Sequence, residues 1–410
     1  RFKPLTRYVD YIDLRATPAH GALDCPPMNR QRILAVASKE WREIIRDRLF
    51  FALAFIVPAF LMLLFGYGLS LDVDHLPLGV VDYDRSAQSR AYVERFSASH
   101  YFRFYGQLDN ERQAGELLST NQLRAVIIIP PQFGRQLLSG QPAQVQTLLD
   151  GTFPSRALIA KGYITAINAA ASLDNLASQA GQLGVTPEEA RRALQPVKLD
   201  TRYLYNQSIS SIWGLAPKLI MFILIASPPF LTALGVVREK ERGSIFNLYA
   251  SNTSRGEFLL GKLAPYVAIS TLNILILWAM AVWLYHVPFK GSFGFFMLAS
   301  VVYVLCTTGI GLLVSVLVRT QMAAMIVTLI VTLVPAILYS GFIIPIPSLK
   351  PLAQGIAHLL PAVYYTRIAV GCFLKGVGLA ALWPELLILA AYAGALFTAG
   401  YLLFTKRPST

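Results

Sequence analysis

The chain has 410 residues and is 55% hydrophobic but only 14% charged, whereas soluble proteins carry about 25% charged residues. This composition excludes a single soluble globular fold. The net charge of +13 would suit a nucleic-acid-binding protein. The basic residues lie beside long apolar runs, however, where anionic lipid headgroups would be. Their position argues against nucleic acid as a partner and for membrane lipid.

Residues that could carry catalysis or hold a metal are sparse. Three cysteines and five histidines are scattered, without the spacing of metal ligands or of a disulfide framework. No Ser/His/Asp or Cys/His constellation lies near a predicted membrane surface. We therefore predict no catalytic residue, no metal site and no cofactor bound by this chain.

The N-terminal segment, residues 1–29, is of mixed polarity and rich in proline, and we expect it to be poorly ordered. The chain begins at Arg1, and its recognisable pattern starts directly after Met28. We therefore expect the chain to be a processed, trimmed or excised piece of a longer product.

Residues 30–48 have the spacing of an amphipathic helix. Trp41 lies on its apolar face, whereas Arg42 and Arg46 lie largely elsewhere. A basic helix with tryptophan on its apolar face is typical of an interfacial helix lying flat among lipid headgroups. A soluble helix packed on a partner protein is the alternative.

Six apolar runs are each long enough for a helix to cross a bilayer, which takes about 20 residues. They cover residues 49–71, 217–237, 263–285, 295–318, 322–346 and 381–404. The first run is too long and starts too late for a secretory signal. We predict a polytopic α-helical membrane protein with one span at 49–71 and a five-helix region over 217–405.

The distribution of Lys and Arg orients these spans. Basic residues are concentrated in 1–48 and 238–262 and are scarce in the short connections 286–294 and 347–380. By the positive-inside rule, both the N-terminus and the C-terminus lie inside. The long segment 72–216 then lies outside.

Segment 72–216 carries no net charge and alternates strand and helix signals, which predicts an inserted extracytoplasmic α/β domain. The predicted strands are 78–82, 125–129 and 145–149, and the predicted helices begin at Ser86, Asp109, Gln132, Ser155 and Thr186. Acidic residues gather where this domain begins: Asp72, Asp74, Asp82 and Asp84, beside His75. A carboxylate site and ordinary solvation of turns are both open there.

The inside loop 238–262 has the strongest local signal. It opens with the charge run Arg238, Glu239, Lys240, Glu241 and Arg242, which Gly243 ends, and continues in a short helix carrying Ile245, Leu248 and Tyr249. A short charged helix at the end of a span can dock a soluble partner. A solvated loop that only satisfies the positive-inside rule is the alternative.

Residues 256–263 nearly match a phosphate-binding P-loop, GxxxxGK[ST]. The last position is Leu263, which has no hydroxyl for Mg²⁺, and no strand precedes the string. We therefore predict that the chain has no ATPase of its own. Glu385, at the outer start of the last run, could be a functional membrane carboxylate or could reach interfacial water.

These segments together resemble a known family, the permease subunits of bacterial ABC-2-type export transporters with a large extracytoplasmic domain. The resemblance covers residues 30–405 and is closest to the membrane portion of fused "ribosome-associated ATPase" proteins and their multidrug-efflux permease relatives. It rests on WREIIRDR at 41–48, LGVVDYDRS at 78–86, AVIIIPPQFGRQLLSGQPAQVQTLLDG at 125–151, VVREKERGSIFNLY at 236–249 and EFLLGK at 257–262.

The resemblance implies partners and a location. Two permeases would pair as a homodimer or heterodimer in the bacterial inner membrane, and separate or fused ATPase domains would bind ATP and Mg. Residues 239–249 would be the coupling helix, 30–48 the connecting helix and 347–380 an outer re-entrant segment. The outside domain would gate the exit or meet a periplasmic adaptor.

A membrane-anchored receptor or scaffold, whose outside domain binds a ligand or adaptor, is the alternative function. Five closely spaced spans with a charged inside loop favour transport, because a scaffold needs far fewer spans. The substrate cannot be deduced from the sequence, because membrane helices are aliphatic and aromatic in any case.

Overall fold

The structure is a computed structural model of the chain. It describes residues 29–69, 75–152, 154–182, 186, 204–206, 210–241, 243 and 254–403. The predicted disordered segment before residue 29, the carboxylates Asp72 and Asp74, and most of the predicted helix opening at Thr186 lie outside the described residues. So do Arg242, Ile245, Leu248 and Tyr249.

The chain divides into two compact units. Unit 1 comprises Arg1–Leu69 and Ile212–Thr410, and unit 2 comprises Ser70–Ser211. The helices are α1 (Arg30–Arg46), α2 (Arg48–Gly68), α3 (Ala87–Ser97), α4 (Glu111–Ser119), α5 (Phe133–Leu138), α6 (Pro154–Gln182), α7 (Ser211–Glu241), α8 (Arg255–Leu284), α9 (Phe293–Leu317), α10 (Gln321–Tyr339), α11 (Pro351–His358), α12 (Pro361–Lys375) and α13 (Leu379–Leu403).

Unit 2 is built on a four-stranded sheet. Its strands are β1 (Leu76–Asp82), β2 (Phe102–Gln107), β3 (Ala125–Ile129) and β4 (Gln146–Leu149), in the order β2-β1-β3-β4. β1 is parallel to β2 and β3, whereas β4 is antiparallel to β3. Every residue of β3 is buried, which explains its five consecutive apolar residues.

Hydrogen-bonding side chains fix the ends of the elements in unit 2. Ser86 caps α3, as its sequence predicts, by accepting a hydrogen bond from the backbone N–H of Ser89. The cap of α4 is Asn110 rather than the predicted Asp109. β2 was not predicted, because most of its residues are exposed and the apolar alternation of its sequence, FRFYGQ, stops after three residues.

The acidic residues after β1 close a turn. Asp82 accepts hydrogen bonds from the backbone of Asp84 and Arg85 and from the Ser89 hydroxyl. Asp84 accepts from the backbone N–H of Gly134 near the start of α5. The side chain of Ser86, and then the backbone N–H groups of Gly134, Gln132 and Phe133, hold the pKa of Asp84 below its usual range. Among the described acids, turn and helix capping therefore accounts for the cluster.

Unit 1 holds six described helices that are long and apolar enough to cross a membrane, namely α2, α7, α8, α9, α10 and α13. The bent pair α11–α12, which turns by 84°, would add a seventh if counted as one span. The chain is thus a polytopic helical membrane protein. α7 is the most enclosed span, with 89% of its apolar stretch buried against 17% for α13.

Several helix limits differ from the predicted ones. α7 continues to Glu241 and α8 begins at Arg255, so the predicted loop 238–262 is shorter by a helical turn or more at each end. α10 ends at Tyr339, before the predicted limit of 346, because Gly341 adopts a left-handed φ of 80° and prolines follow. The first span was predicted to reach residue 71, but its helix ends at Gly68.

Neighbouring helices accommodate Pro58 and Pro229. Pro58 has no N–H, so the carbonyl of Ala54 loses its α-helical donor, and Asn273 of α8 donates to that oxygen at 2.7 Å. On α9, a Cβ added at Gly311 would lie 2.4 Å from the carbonyl oxygen of Pro229. Gly311 therefore lets α9 pack directly against the proline bend of α7.

Candidate functional site: a buried charge cluster at the end of α7

α1 has three distinct faces. Ile33, Glu40 and Ile44 share a stripe that is buried or half-buried against the rest of unit 1. Trp41 and Ile45 lie on a second, exposed apolar face, and basic residues occupy the third. A helix with one face on the protein and an adjacent exposed apolar face is suited to lie along the membrane surface.

Four charged side chains and a tyrosine meet where α1, α7 and α8 converge, and we call them the charge cluster: Lys39, Glu40, Glu239, Lys262 and Tyr266. Lys262 Nζ donates to Glu40 Oε2 at 2.9 Å and lies 3.0 Å from Glu239 Oε1. Lys39 Nζ donates to the same Glu239 oxygen at 2.9 Å. Tyr266 donates its hydroxyl to Glu40 Oε1.

The cluster is buried except at Lys39, and its charges are paired. Lys262 and Glu40 are 1% and 3% exposed, and Tyr266 is fully buried. Two ammonium groups face two carboxylates, and both oxygens of Glu40 accept hydrogen bonds. A buried ion pair adds little net stability when it is intact, but removing one partner is strongly destabilising. The cluster therefore fixes how the three helices meet.

Lys39 is the exposed edge of this cluster. Burial acts to lower its pKa, but the hydrogen bond to Glu239 and the neighbouring carboxylates outweigh burial and hold that pKa above its ordinary value. Lys39 therefore remains charged over the physiological range, and Glu239 keeps two cationic partners.

Two glycines make room for the cluster. A Cβ at Gly235 would lie 1.8 Å from the Tyr266 hydroxyl, so α7 can approach α8 only without a side chain there. A Cβ at Gly261 would lie 2.8 Å from the backbone oxygen of Ile33, which brings α1 against α8. Both glycines serve close helix contact.

The other residues in the last turn of α7 each bind a different helix end. Arg238 lies 2.7 Å from Asp47, which also caps the start of α2. Lys240 donates to the carbonyl oxygens of Ser315 and Val316 in the last turn of α9, where carbonyls lack helical partners. We call Arg238–Glu241, with the groups that they bind, the α7 hub.

Glu241 completes the α7 hub at the start of α10. Its Oε2 accepts hydrogen bonds from the backbone N–H and the side-chain amide of Gln321, at 3.1 and 2.7 Å. A carboxylate is favourable at this position because a helix N-terminus is electropositive. The last turn of α7 is thus bound to α1, α8, α9, α10 and the cap of α2.

A second set of bonds joins the starts of α1 and α8. Ser254 and Glu257 form a capping box at the start of α8. Glu257 also accepts a hydrogen bond from the backbone N–H of Asn29 at 2.7 Å. α1 is therefore attached to α8 at its first turn as well as through Glu40.

Comparison with known proteins identifies this architecture. Residues 48–402 match the profile of the family described as ABC-2 family transporter protein. The chain belongs to the ABC-2 transporter family. This confirms the family that the sequence resembles, and it makes the chain a transmembrane permease subunit of an ABC-2-type exporter, whose family implies ATPase partner subunits.

Curated relatives cover nearly the same length as this permease. It is 29% identical to the probable multidrug ABC transporter permease YbhS of Escherichia coli K12 over 86% of this chain and 90% of the relative. It is 26% identical to the probable multidrug ABC transporter permease YbhR of the same strain, over 92% of this chain and 99% of the relative. It is 24% identical to the linearmycin resistance permease protein LnrN of Bacillus subtilis 168, over 90% of this chain and 98% of the relative.

The structure brings together only part of the predicted site of this permease. Arg238, Glu239, Lys240 and Glu241 lie in the last turn of α7, where they bind other helices of the chain. Arg242 lies outside the described residues, and docking of a partner on this loop stays a prediction. Gly243, with a φ of 71°, follows the helix end. Trp41, Arg42 and Arg46 are exposed on α1, where the guanidinium of Arg42 donates to the carbonyl of Ser38.

Sequence reasoning missed Glu40, Lys262 and Tyr266. Glu40 had a signal, because it interrupts the otherwise apolar stripe of α1 that includes Ile33 and Ile44. Lys262 was noticed only within the P-loop-like string and the EFLLGK segment, not as a charge partner. In the structure that string belongs to α8, and its Gly-Lys pair contacts α1 and the two carboxylates.

Two further acidic features lie in the described part of the chain: a group of three carboxylates at the charge cluster, and Glu385. The carboxylates of Glu40, Glu43 and Glu239 come within 4.8 Å of one another, a separation that could hold a metal ion. Lys39 and Lys262 already supply the positive charge there. Glu385, at the outer start of α13, lies 3.9 Å from Arg367 of α12.

Proposed function

We propose that this permease exports lipophilic or amphipathic molecules from the cytoplasm or the inner leaflet of a bacterial inner membrane. Relatives over nearly the whole chain are named as multidrug and linearmycin resistance permeases, which supports this class of substrate. Two permeases pair to form the path, and ATPase subunits bound on the inner side hydrolyse ATP with Mg.

The α7 hub is the observation that carries the proposed mechanism. The segment between Glu241 and Ser254 connects α7 to α8, and both of these helices contribute to the charge cluster. ATPase subunits that dock on this segment would push on the end of α7. Because that end is bound to four other helices, they would move together rather than one at a time.

The proposal also assigns a membrane orientation to the chain and roles to α1, the pair α11–α12 and unit 2. The positive-inside distribution supports an inner position for the α7 hub and an outer position for unit 2. α1 lies in the inner headgroup region and works as the connecting helix. The bent pair α11–α12 forms the outer re-entrant segment, and unit 2 gates the exit or meets a periplasmic adaptor.

Docking of the ATPase can be tested at Leu248 and Tyr249. We expect Leu248→Asp with Tyr249→Asp to abolish co-purification of the ATPase and ATP-driven export of Hoechst 33342 from inside-out vesicles. Two buried carboxylates at an interface would face a large desolvation cost. Leu138→Asp, which changes an exposed leucine of unit 2, is the matched control and should retain both activities.

The outcome has two informative branches. Retention of the bound ATPase by the double variant, with normal size-exclusion behaviour, would refute docking on this segment. Loss of dye export with the ATPase still bound would place the two residues downstream of docking.

A further inference from the structure

Unit 2 contains a cavity that the transport mechanism does not use. It has a volume of about 430 Å³ and opens between α3 and α6, with α5 and the residues just before β4 forming its floor. Its apolar lining includes Phe133, Leu137 and Val145. A volume of roughly 300–1,000 Å³ is typical of small-molecule sites.

Three side-chain amides line the cavity: Gln88, Asn168 and Asn175. The carbonyl oxygen of Asn168 accepts a hydrogen bond from the hydroxyl of Tyr92. Burial raises the pKa of Tyr92 to about 12, so that hydroxyl remains a donor at neutral pH. The amide NH₂ of Asn168 is thereby left as a donor for a ligand.

The cavity lining is electrically balanced. Arg95 donates to Asp174 at 2.7 Å, and no other charged side chain is among the described residues that line the cavity. An ionised ligand would therefore lose hydration without gaining an unpaired counter-charge. Aromatic surface is available from Tyr92 and Phe133, whose ring centroids are 5.5 Å apart.

We propose that this cavity binds a small uncharged amphipathic molecule that carries an aromatic or aliphatic part and amide or hydroxyl groups. The apolar floor covers the apolar part, and the three amides offer donors and acceptors to the polar part. All residues of this site belong to unit 2, and the proposal does not depend on the α7 hub, so either proposal can fail without the other.

The test uses a pair of probes that differ in charge. N-acetylphenylalaninamide is an uncharged aromatic amide, and N-acetylphenylalanine has the same shape with a carboxylate in place of the terminal amide. Binding to the purified full chain in nanodiscs is followed by saturation-transfer NMR and calorimetry. We expect saturable binding of the amide at millimolar concentration or below, and about tenfold weaker binding of the carboxylate.

Variants locate the binding. Ala171→Trp should fill the cavity and remove binding, whereas Ala170→Trp, at the preceding and exposed position of α6, should retain it. Asn175→Leu removes one amide without adding bulk and should weaken binding while the protein remains folded. No saturable binding of the amide, equal binding of the two probes, or binding unaffected by both Ala171→Trp and Asn175→Leu would each overturn the proposal.

Discussion

Lys262→Met is expected to destabilise the permease by about 3–5 kcal/mol, because it leaves Glu40 buried beside Glu239 without their shared counter-charge. We expect a sharply lower apparent melting temperature in detergent, measured by fluorescence-detected size exclusion after heating. Lys161→Met, at an exposed lysine of unit 2, is the control and should leave the melting temperature unchanged.

A compensating change separates charge from packing. Glu40→Leu combined with Lys262→Met replaces a buried ion pair by apolar side chains, a change that is often neutral in stability. Glu239 then keeps Lys39 as its partner. The double variant should recover part of the lost melting temperature, because the buried Tyr266 hydroxyl then lacks its acceptor. A Lys262→Met single variant as stable as the wild type would show that the cluster does not hold the three helices.

Gly261→Ala is expected to push α1 away from α8 and to reduce ATP-driven dye export sharply. The added methyl group would meet the backbone oxygen of Ile33 and the side chain of Val36, both at 2.8 Å. Backbone cannot move aside as a flexible side chain can, and overpacking of this kind costs about 1–3 kcal/mol.

Gly256→Ala is a matched control on the same helix. Its nearest neighbour would be the ring of Tyr401 at 3.9 Å, an ordinary contact distance. The control should keep full export in inside-out vesicles. If both alanine variants export Hoechst 33342 equally well, close contact between α1 and α8 is not required for transport.

The spans and most elements of unit 2 could be predicted because their signals are local. Apolar length marks a span, and Ser86 marks a helix start by its own hydrogen bond. The signal for the end of α10 was also local, because Gly341 and the prolines after it are residues that typically end a helix.

The charge cluster could not be predicted because its partners are far apart in sequence. Glu40 and Lys262 are separated by 222 positions and meet only once α1 has packed on α8. Composition showed that residues 238–262 were charged, but not which charges would be buried. The pairing of Arg238 with Asp47 depends on the same packing.

Glu239→Gln tests transmission through the α7 hub most directly. It removes the charge that α1 and α8 share at the end of α7, while Lys262 keeps Glu40 as its partner. The measurement is the number of Hoechst 33342 molecules moved per ATP hydrolysed, in proteoliposomes containing the variant and the ATPase. We predict that ATP hydrolysis continues and that this ratio falls several-fold. A ratio equal to that of the wild type would contradict transmission through the α7 hub.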